Sequence, residues 1–121
     1  MSAKSYRELI VWKKAMDLVE EVYNLTKLLP KDELYALTNQ IRRAVVSIPS
    51  NIAEGNARHT STEYVRFLTI ARGSKAEVET QLEICVRLNY ISSEQVQTAM
   101  ELCNEVGRML NSMIQKLLPA P

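Results

Sequence analysis

The 121-residue chain is 46% hydrophobic and 24% charged, with a formal charge of +1, three glycines and two cysteines. That length sets an expectation of a single domain over residues 1–121 with one core that needs no disulfide or metal, and the balance of apolar and charged residues excludes a disordered, fibrous or collagen-like chain. The near-neutral charge removes any electrostatic mandate for nucleic acid, and the charges in "MSAKSYRELIVWKK" break the apolar run that a signal peptide or membrane span needs, so a cytoplasmic location is expected.

Apolar residues recur at helical spacing throughout. In the first segment Val11, Ala15, Leu18, Val22, Leu25 and Leu29 form one stripe that stops at Pro30. Asp32 is placed to cap a second helix, which carries Leu34, Leu37, Ile41, Ala44, Ile48 and Ile52 and closes at Gly55 as a left-handed cap. The third opens at Thr60 and Glu63 as a capping box, runs through Tyr64, Phe67, Leu68, Ala71, Val78, Leu82 and Cys85, and ends near Asn89. The fourth opens with Ser92 and Gln95 as a second box and carries Val96, Ala99, Cys103, Val106, Leu110, Ile114 and Leu117 before Pro119. Short connections force sequential helices to lie antiparallel, so the expected fold is an all-α, up-down-up-down four-helix bundle; three helices with a detached arm is the alternative. Cys85 and Cys103 fall on apolar faces and lack zinc-site spacing, which favours buried thiols over a disulfide.

Pro49 lies inside the second segment, in "SIPSNIAEG". Ile52 and Ala53 keep the helical period beyond it, so the helix is expected to continue with a bend instead of ending at Ile48, leaving the Val45 carbonyl to a partner among Arg43, Ser50, Asn51 and Ser74. Antiparallel pairing of helices two and three sets Ser47 against Gly73 and Arg43 against Ser74 to Glu77. A glycine in a helix interior costs about 1 kcal/mol relative to alanine, so Gly73 predicts a close approach of helix two. The facing polar residues Gln40, Arg43, Ser47, Asn51, Glu54, Arg72, Gly73, Ser74 and Glu77 define a seam. It serves either as a structural network, with Arg43 bonded to Glu77, or as a groove for a small molecule or peptide.

Catalytic chemistry finds little footing. His59 is the sole histidine, in an expected loop, and no cofactor or metal site is expected. A second apolar line on helix one, Trp12, Met16, Val19 and Tyr23, together with Leu102, Met109 and Met113 on helix four, exceeds what one bundle buries and points to an oligomer interface. Lys13, Lys14, Arg42, Arg58, Arg66, Arg72 and Lys75 are the candidate phosphate contacts. Repetition in an oligomer would concentrate them, while Asp17, Glu20, Glu21, Glu63 and Glu79 on the same helices dilute the potential.

The segments "YRELIVWKKAMDLVEEVY", "LTNQIRRAVVSIPSNIAEG" and "EYVRFLTIARGSKAEVETQL" resemble the signature segments of four-helix-bundle proteins associated with intervening sequences of bacterial 23S ribosomal RNA genes, sometimes labelled S23 proteins. The resemblance spans residues 5 to 118. It implies a barrel-shaped homopentamer with no established biochemical activity. A related branch, the accessory proteins of diversity-generating retroelements, works with a reverse transcriptase and its RNA, which makes RNA, DNA or such an enzyme the partners the resemblance implies.

Overall fold

The computed structural model describes residues 5–118, and within that range helices are joined by turns, with no strand among the described residues. Four helices carry the fold: α1 (Ile10–Thr26), α2 (Leu37–Asn56), α3 (Ser61–Arg87) and α4 (Gln97–Leu117), with short 3-10 turns at Tyr6–Glu8 and Lys31–Glu33. Each helix packs on two neighbours, α1 on α2 and α4, α3 on α2 and α4, and the α2–α3 contact is the most extensive. Contacts at two levels show every neighbouring pair to be antiparallel: Arg42 meets Thr26 while Ala53 lies by Trp12, Ser47 meets Ser74 while Gly55 lies by Tyr64, Arg72 meets Asn111 while Lys75 lies by Gly107, and Lys14 meets Glu105 while Val11 lies by Met109. The cross-section therefore has four corners, and the topology is up-down-up-down. Most of the stripe set expected from spacing forms the core: Leu18, Val22, Ile41, Ile48, Ile52, Leu68, Val78, Leu82, Val106 and Leu110 are all fully buried, whereas Phe67 and Leu117 at the rims of their helices are only half-buried.

Boundaries differ from the sequence expectation where local hydrogen bonds outcompete the apolar period. α1 stops at Thr26, although Leu29 beyond it is still buried. Asp32 does not cap α2. Pro30 leads the Lys31–Glu33 turn instead, the Glu33 carboxylate accepts from the Leu37 amide at 3.3 Å, and α2 starts at Leu37. Leu34 accordingly lies outside the core, 47% exposed. The second oxygen of Glu33 accepts from the Tyr90 hydroxyl at 2.8 Å, tying the α1–α2 connection to the α3–α4 connection at one end of the bundle. That bond is the first cause pushing the Tyr90 phenol above its ordinary pKa.

α2 runs unbroken through Pro49. Ser50 Oγ donates to the Val46 carbonyl and Asn51 Nδ2 to the Ser47 carbonyl, both at 2.8 Å, so the side chains beside the proline serve those two carbonyls and not that of Val45. A missing amide donor and back-bonding of this kind both bend helices. Gly55 is not a left-handed cap: among the described residues Asn89 alone of the non-glycines has positive φ, and no glycine does. α2 continues to Asn56, and a Cβ on Gly55 would stand 2.9 Å from Phe67 Cβ and 3.3 Å from the Tyr64 carbonyl. The close approach of α2 and α3 is at Gly55. At Gly73 the expectation fails, because nothing lies within 4 Å of where its Cβ would be.

The termini of α3 follow the sequence signals. Thr60 Oγ1 accepts from the Glu63 amide at 3.2 Å, and at the other end the Tyr90 and Asn89 amides donate to the Cys85 and Val86 carbonyls around a left-handed Asn89, a Schellman closure. Ser92 and Gln95 form both bonds of the second capping box, one turn ahead of regular α4. α4 ends at Leu117; Pro119 lies outside the described residues.

Candidate functional site

Two surfaces meet along α2. The first is the polar seam with α3. Its centre is a compact network in which Ser47 Oγ and Ser74 Oγ are 2.9 Å apart, and Asn51 Nδ2 donates to Ser47 Oγ at 2.9 Å. Ser74 is buried although polar, so the network is what makes its burial tolerable. Beside it lies an open groove of about 360 Å³ bordered by Gln40, Arg43, Ser47, Ser74 and Glu77. It continues into a second groove of about 420 Å³, bordered by Gln40, Gly73, Glu77, Thr80, Gln81 and Ile84.

Two of the expected seam residues point elsewhere. Glu54 pairs with Arg58 at 2.7 Å, in the loop just past α2, and Arg72 donates to Asn111 on α4 at 2.9 Å. Arg43 and Glu77 border the same groove without an ion pair or hydrogen bond between them. One residue the sequence reading missed stands out. Gln81 is 8% exposed, borders the second groove, and its Oε1 has no hydrogen-bond partner among the described residues.

The second surface is apolar and lies between α1 and α2. Trp12, Met16, Val19, Val46, Pro49 and Ala53 border a groove of about 350 Å³ together with Tyr6, whose ring meets Trp12 edge-on at 5.2 Å. Met16 is 37% and Val46 40% exposed. Trp12, Val19 and Tyr23 are half-buried against the core, as are Leu102, Met109 and Met113 on α4. The outer line therefore serves the protomer's own packing as well as its surface. Met109 and Met113 also border a groove of about 450 Å³ with Leu9, Ile10 and Val11.

Most of the candidate phosphate contacts are already engaged. Lys14 pairs with Glu105 and Lys75 with Glu79; Arg42 donates to Thr26 and lies 4.7 Å from the centre of the Tyr23 ring; Arg58 lies equally close to the Phe67 ring. Lys13 and Arg66 make no ion pair among the described residues. His59 is exposed in the loop after α2, and among the described residues no three His, Cys, Asp or Glu side chains gather as metal ligands would. Cys85 and Cys103 are free and buried; burial is the first cause pushing their thiols up to about 11 and about 12. No described helix is long and apolar enough to cross a membrane.

The model of the 23S rRNA-intervening sequence protein family matches residues 7–112. The chain belongs to that family. A crystal structure of a protein of unknown function from the S23 ribosomal protein family of Bacteroides thetaiotaomicron VPI-5482 superposes on it with a TM-score of 0.81 and 28% identity, covering 88% of this chain and 99% of the other. No curated protein matches. For this 23S rRNA-intervening sequence protein the two α2 surfaces, Tyr6 apart, lie within the matched range.

Proposed function

We propose that the protein is a non-catalytic, cytoplasmic assembly module that works as a homo-oligomer, with five copies the number its family resemblance implies. The observation that carries this is the apolar groove between α1 and α2, where Met16 and Val46 stay over a third exposed beside Trp12 and Pro49. A contiguous apolar patch on a small domain is the usual mark of a protein surface awaiting a partner, and a second copy is the partner always present. The test is static light scattering of the wild type and of Met16→Asp, with Tyr35→Asp, at a fully solvated loop position, as the control. The expected result is a wild-type mass several times that of the protomer, lowered by the first substitution and not by the second, with helicity intact in all three.

A role alongside nucleic acid or a nucleic-acid enzyme such as a reverse transcriptase fits the same reading, with the oligomer as scaffold. Direct phosphate binding is expected to be weak, since only Lys13 and Arg66 among the seven candidates lack a partner within the described residues. A second reading takes the α2–α3 groove as a small-molecule or peptide site. It is favoured by the orphaned Gln81 Oε1, and a copurifying ligand of defined mass would support it.

A further inference from the structure

The hydroxyl pair at the centre of the α2–α3 seam carries one proton more than the seam uses. Ser47 Oγ and Ser74 Oγ share a single bond at 2.9 Å, and Asn51 occupies a lone pair of Ser47 with its own amide proton. Whichever serine donates, the hydroxyl proton of the other has no acceptor among the described residues. The hydroxyls of Ser50, Thr69 and Thr80 each donate to a carbonyl one turn back, and neither Ser47 nor Ser74 does so. Ser74 is 7% exposed, and the space that both serines border is the groove of about 360 Å³. A nearly buried donor in want of an acceptor marks a place for one brought from outside.

Arg43 and Glu77 border the same groove with opposite charges, and neither is ion-paired among the described residues. A guanidinium beside a spare hydroxyl proton suits a carboxylate, and the Glu77 carboxylate suits an ammonium. Charge of both signs in one groove works against a phosphate chain, which Glu77 repels, and against a metal ion, which Arg43 repels. Past Glu77 the groove continues between Leu37 and Ile84, and Gly73 leaves room in it, since nothing lies within 4 Å of where its Cβ would be. An α-amino acid carries a carboxylate, an ammonium and a side chain on one carbon, and so answers all three parts of the groove.

Resting on the reading of the α2–α3 groove as a small-molecule site, we propose that it binds a free α-amino acid with an apolar side chain. The carboxylate sits between Arg43 and the serine pair and accepts the spare hydroxyl proton. The ammonium donates to Glu77 and to the amide oxygen of Gln40, which borders both parts of the groove. The side chain runs past Gly73 toward Leu37 and Ile84. Arg43 and Glu77 are exposed, so water competes for both charges and the ligand is held weakly, with a Kd of about a millimolar. It is therefore lost during purification and has to be added back. The site shares no side chain with the apolar groove between α1 and α2.

The experiment is a saturation-transfer NMR titration of the wild type, Arg43→Gln and Glu77→Gln with L-leucine, with L-leucinamide, which lacks the carboxylate, and with N-acetyl-L-leucine, which lacks the ammonium. Both substitutions fall at exposed positions and are expected to keep full helicity by circular dichroism. The wild type is expected to bind leucine saturably and each analogue about tenfold more weakly. Arg43→Gln is expected to abolish the preference over leucinamide and keep that over N-acetyl-leucine, and Glu77→Gln to do the reverse, a split that a merely structural role of either residue would not produce. An analogue bound as tightly as leucine, and weakened by either substitution, overturns the amino acid while leaving a small-molecule groove standing. Leucine binding that both substitutions leave unchanged places it outside this groove and overturns the proposal. Silence of all three ligands overturns it as well, and the groove reading then falls too unless a copurified ligand of other chemistry is found.

Discussion

The two glycines of the α2–α3 pair are expected to respond to alanine in opposite directions. In Gly55→Ala the new Cβ would meet Phe67 Cβ at 2.9 Å, Tyr64 Cδ1 at 3.0 Å and the Tyr64 carbonyl oxygen at 3.3 Å. The Phe67 Cβ and the carbonyl belong to the α3 frame and cannot swing aside as a side-chain tip would, so α2 and α3 must part by a few tenths of an ångström. Overpacking of this kind costs about 1–3 kcal/mol, against about 1 kcal/mol gained in helix propensity. The net expectation is a loss of up to about 2 kcal/mol, or up to roughly 8 °C in Tm for a domain of this size. Gly73→Ala meets nothing within 4 Å and keeps the propensity gain, so it is expected to raise stability by up to about 1 kcal/mol. Urea unfolding followed by circular dichroism, at one protein concentration and with the mass of each variant measured, gives both values. A destabilised Gly73→Ala of unchanged mass, or a stabilised Gly55→Ala, would refute the packing described here.

Ser47→Ala removes the oxygen shared by Ser74 and Asn51 and is expected to cost about 1–2 kcal/mol, with the Ser47→Ala/Ser74→Ala pair costing less than the sum of the singles in a double-mutant cycle. The thiols of Cys85 and Cys103, raised by burial to about 11 and about 12, are expected to resist a thiol reagent at pH 8 in the folded protein and to react on unfolding. Because the folded state holds these protons above the ordinary thiol pKa of 9.0, the stabilisation is complete below that value and is lost as pH rises through about 11 and 12; Cys85→Ser/Cys103→Ser should flatten that limb of the stability profile. Labelled single-stranded RNA should show weak anisotropy changes near 50 mM salt that are gone by about 200 mM. Arg66→Glu should reduce them more than Arg58→Glu, whose side chain is already held by Glu54 and Phe67.

The architecture was legible because the apolar period is strong: the stripes beginning at Val11, Tyr64 and Val96, and that beginning at Leu34 apart from Leu34 itself, mark the faces turned to the core. The ends of α3 were legible because Thr60 and Asn89 are local signals that need no partner from elsewhere. The start of α2 was not, since Glu33 is used twice, by the Leu37 amide and by Tyr90, and the second use depends on a residue far along the chain. Glycine was the harder lesson. A mid-helix glycine shows that something requires the space without showing what, and the intramolecular approach fell to Gly55, which the period had placed at a helix end. Of the seam, register set Ser47 against Gly73 and Arg43 against Ser74 to Glu77, whereas Ser47 meets Ser74, one residue on, and Asn51 bonds back to Ser47 on its own helix. Glu54 and Arg72 left the seam, because long side chains chose partners just past α2 or on α4. Gln81 was hidden by its place among core residues, where a single glutamine on an apolar stripe reads as a tolerated exception.

Native mass spectrometry of the purified wild-type protein tests the central claim most directly. Self-assembly through the apolar groove between α1 and α2 predicts one species of several identical chains with no added mass, and loss of that species in Met16→Asp. A protomer that stays monomeric across concentration, or one that carries a small molecule of fixed mass in place of its copies, would contradict it.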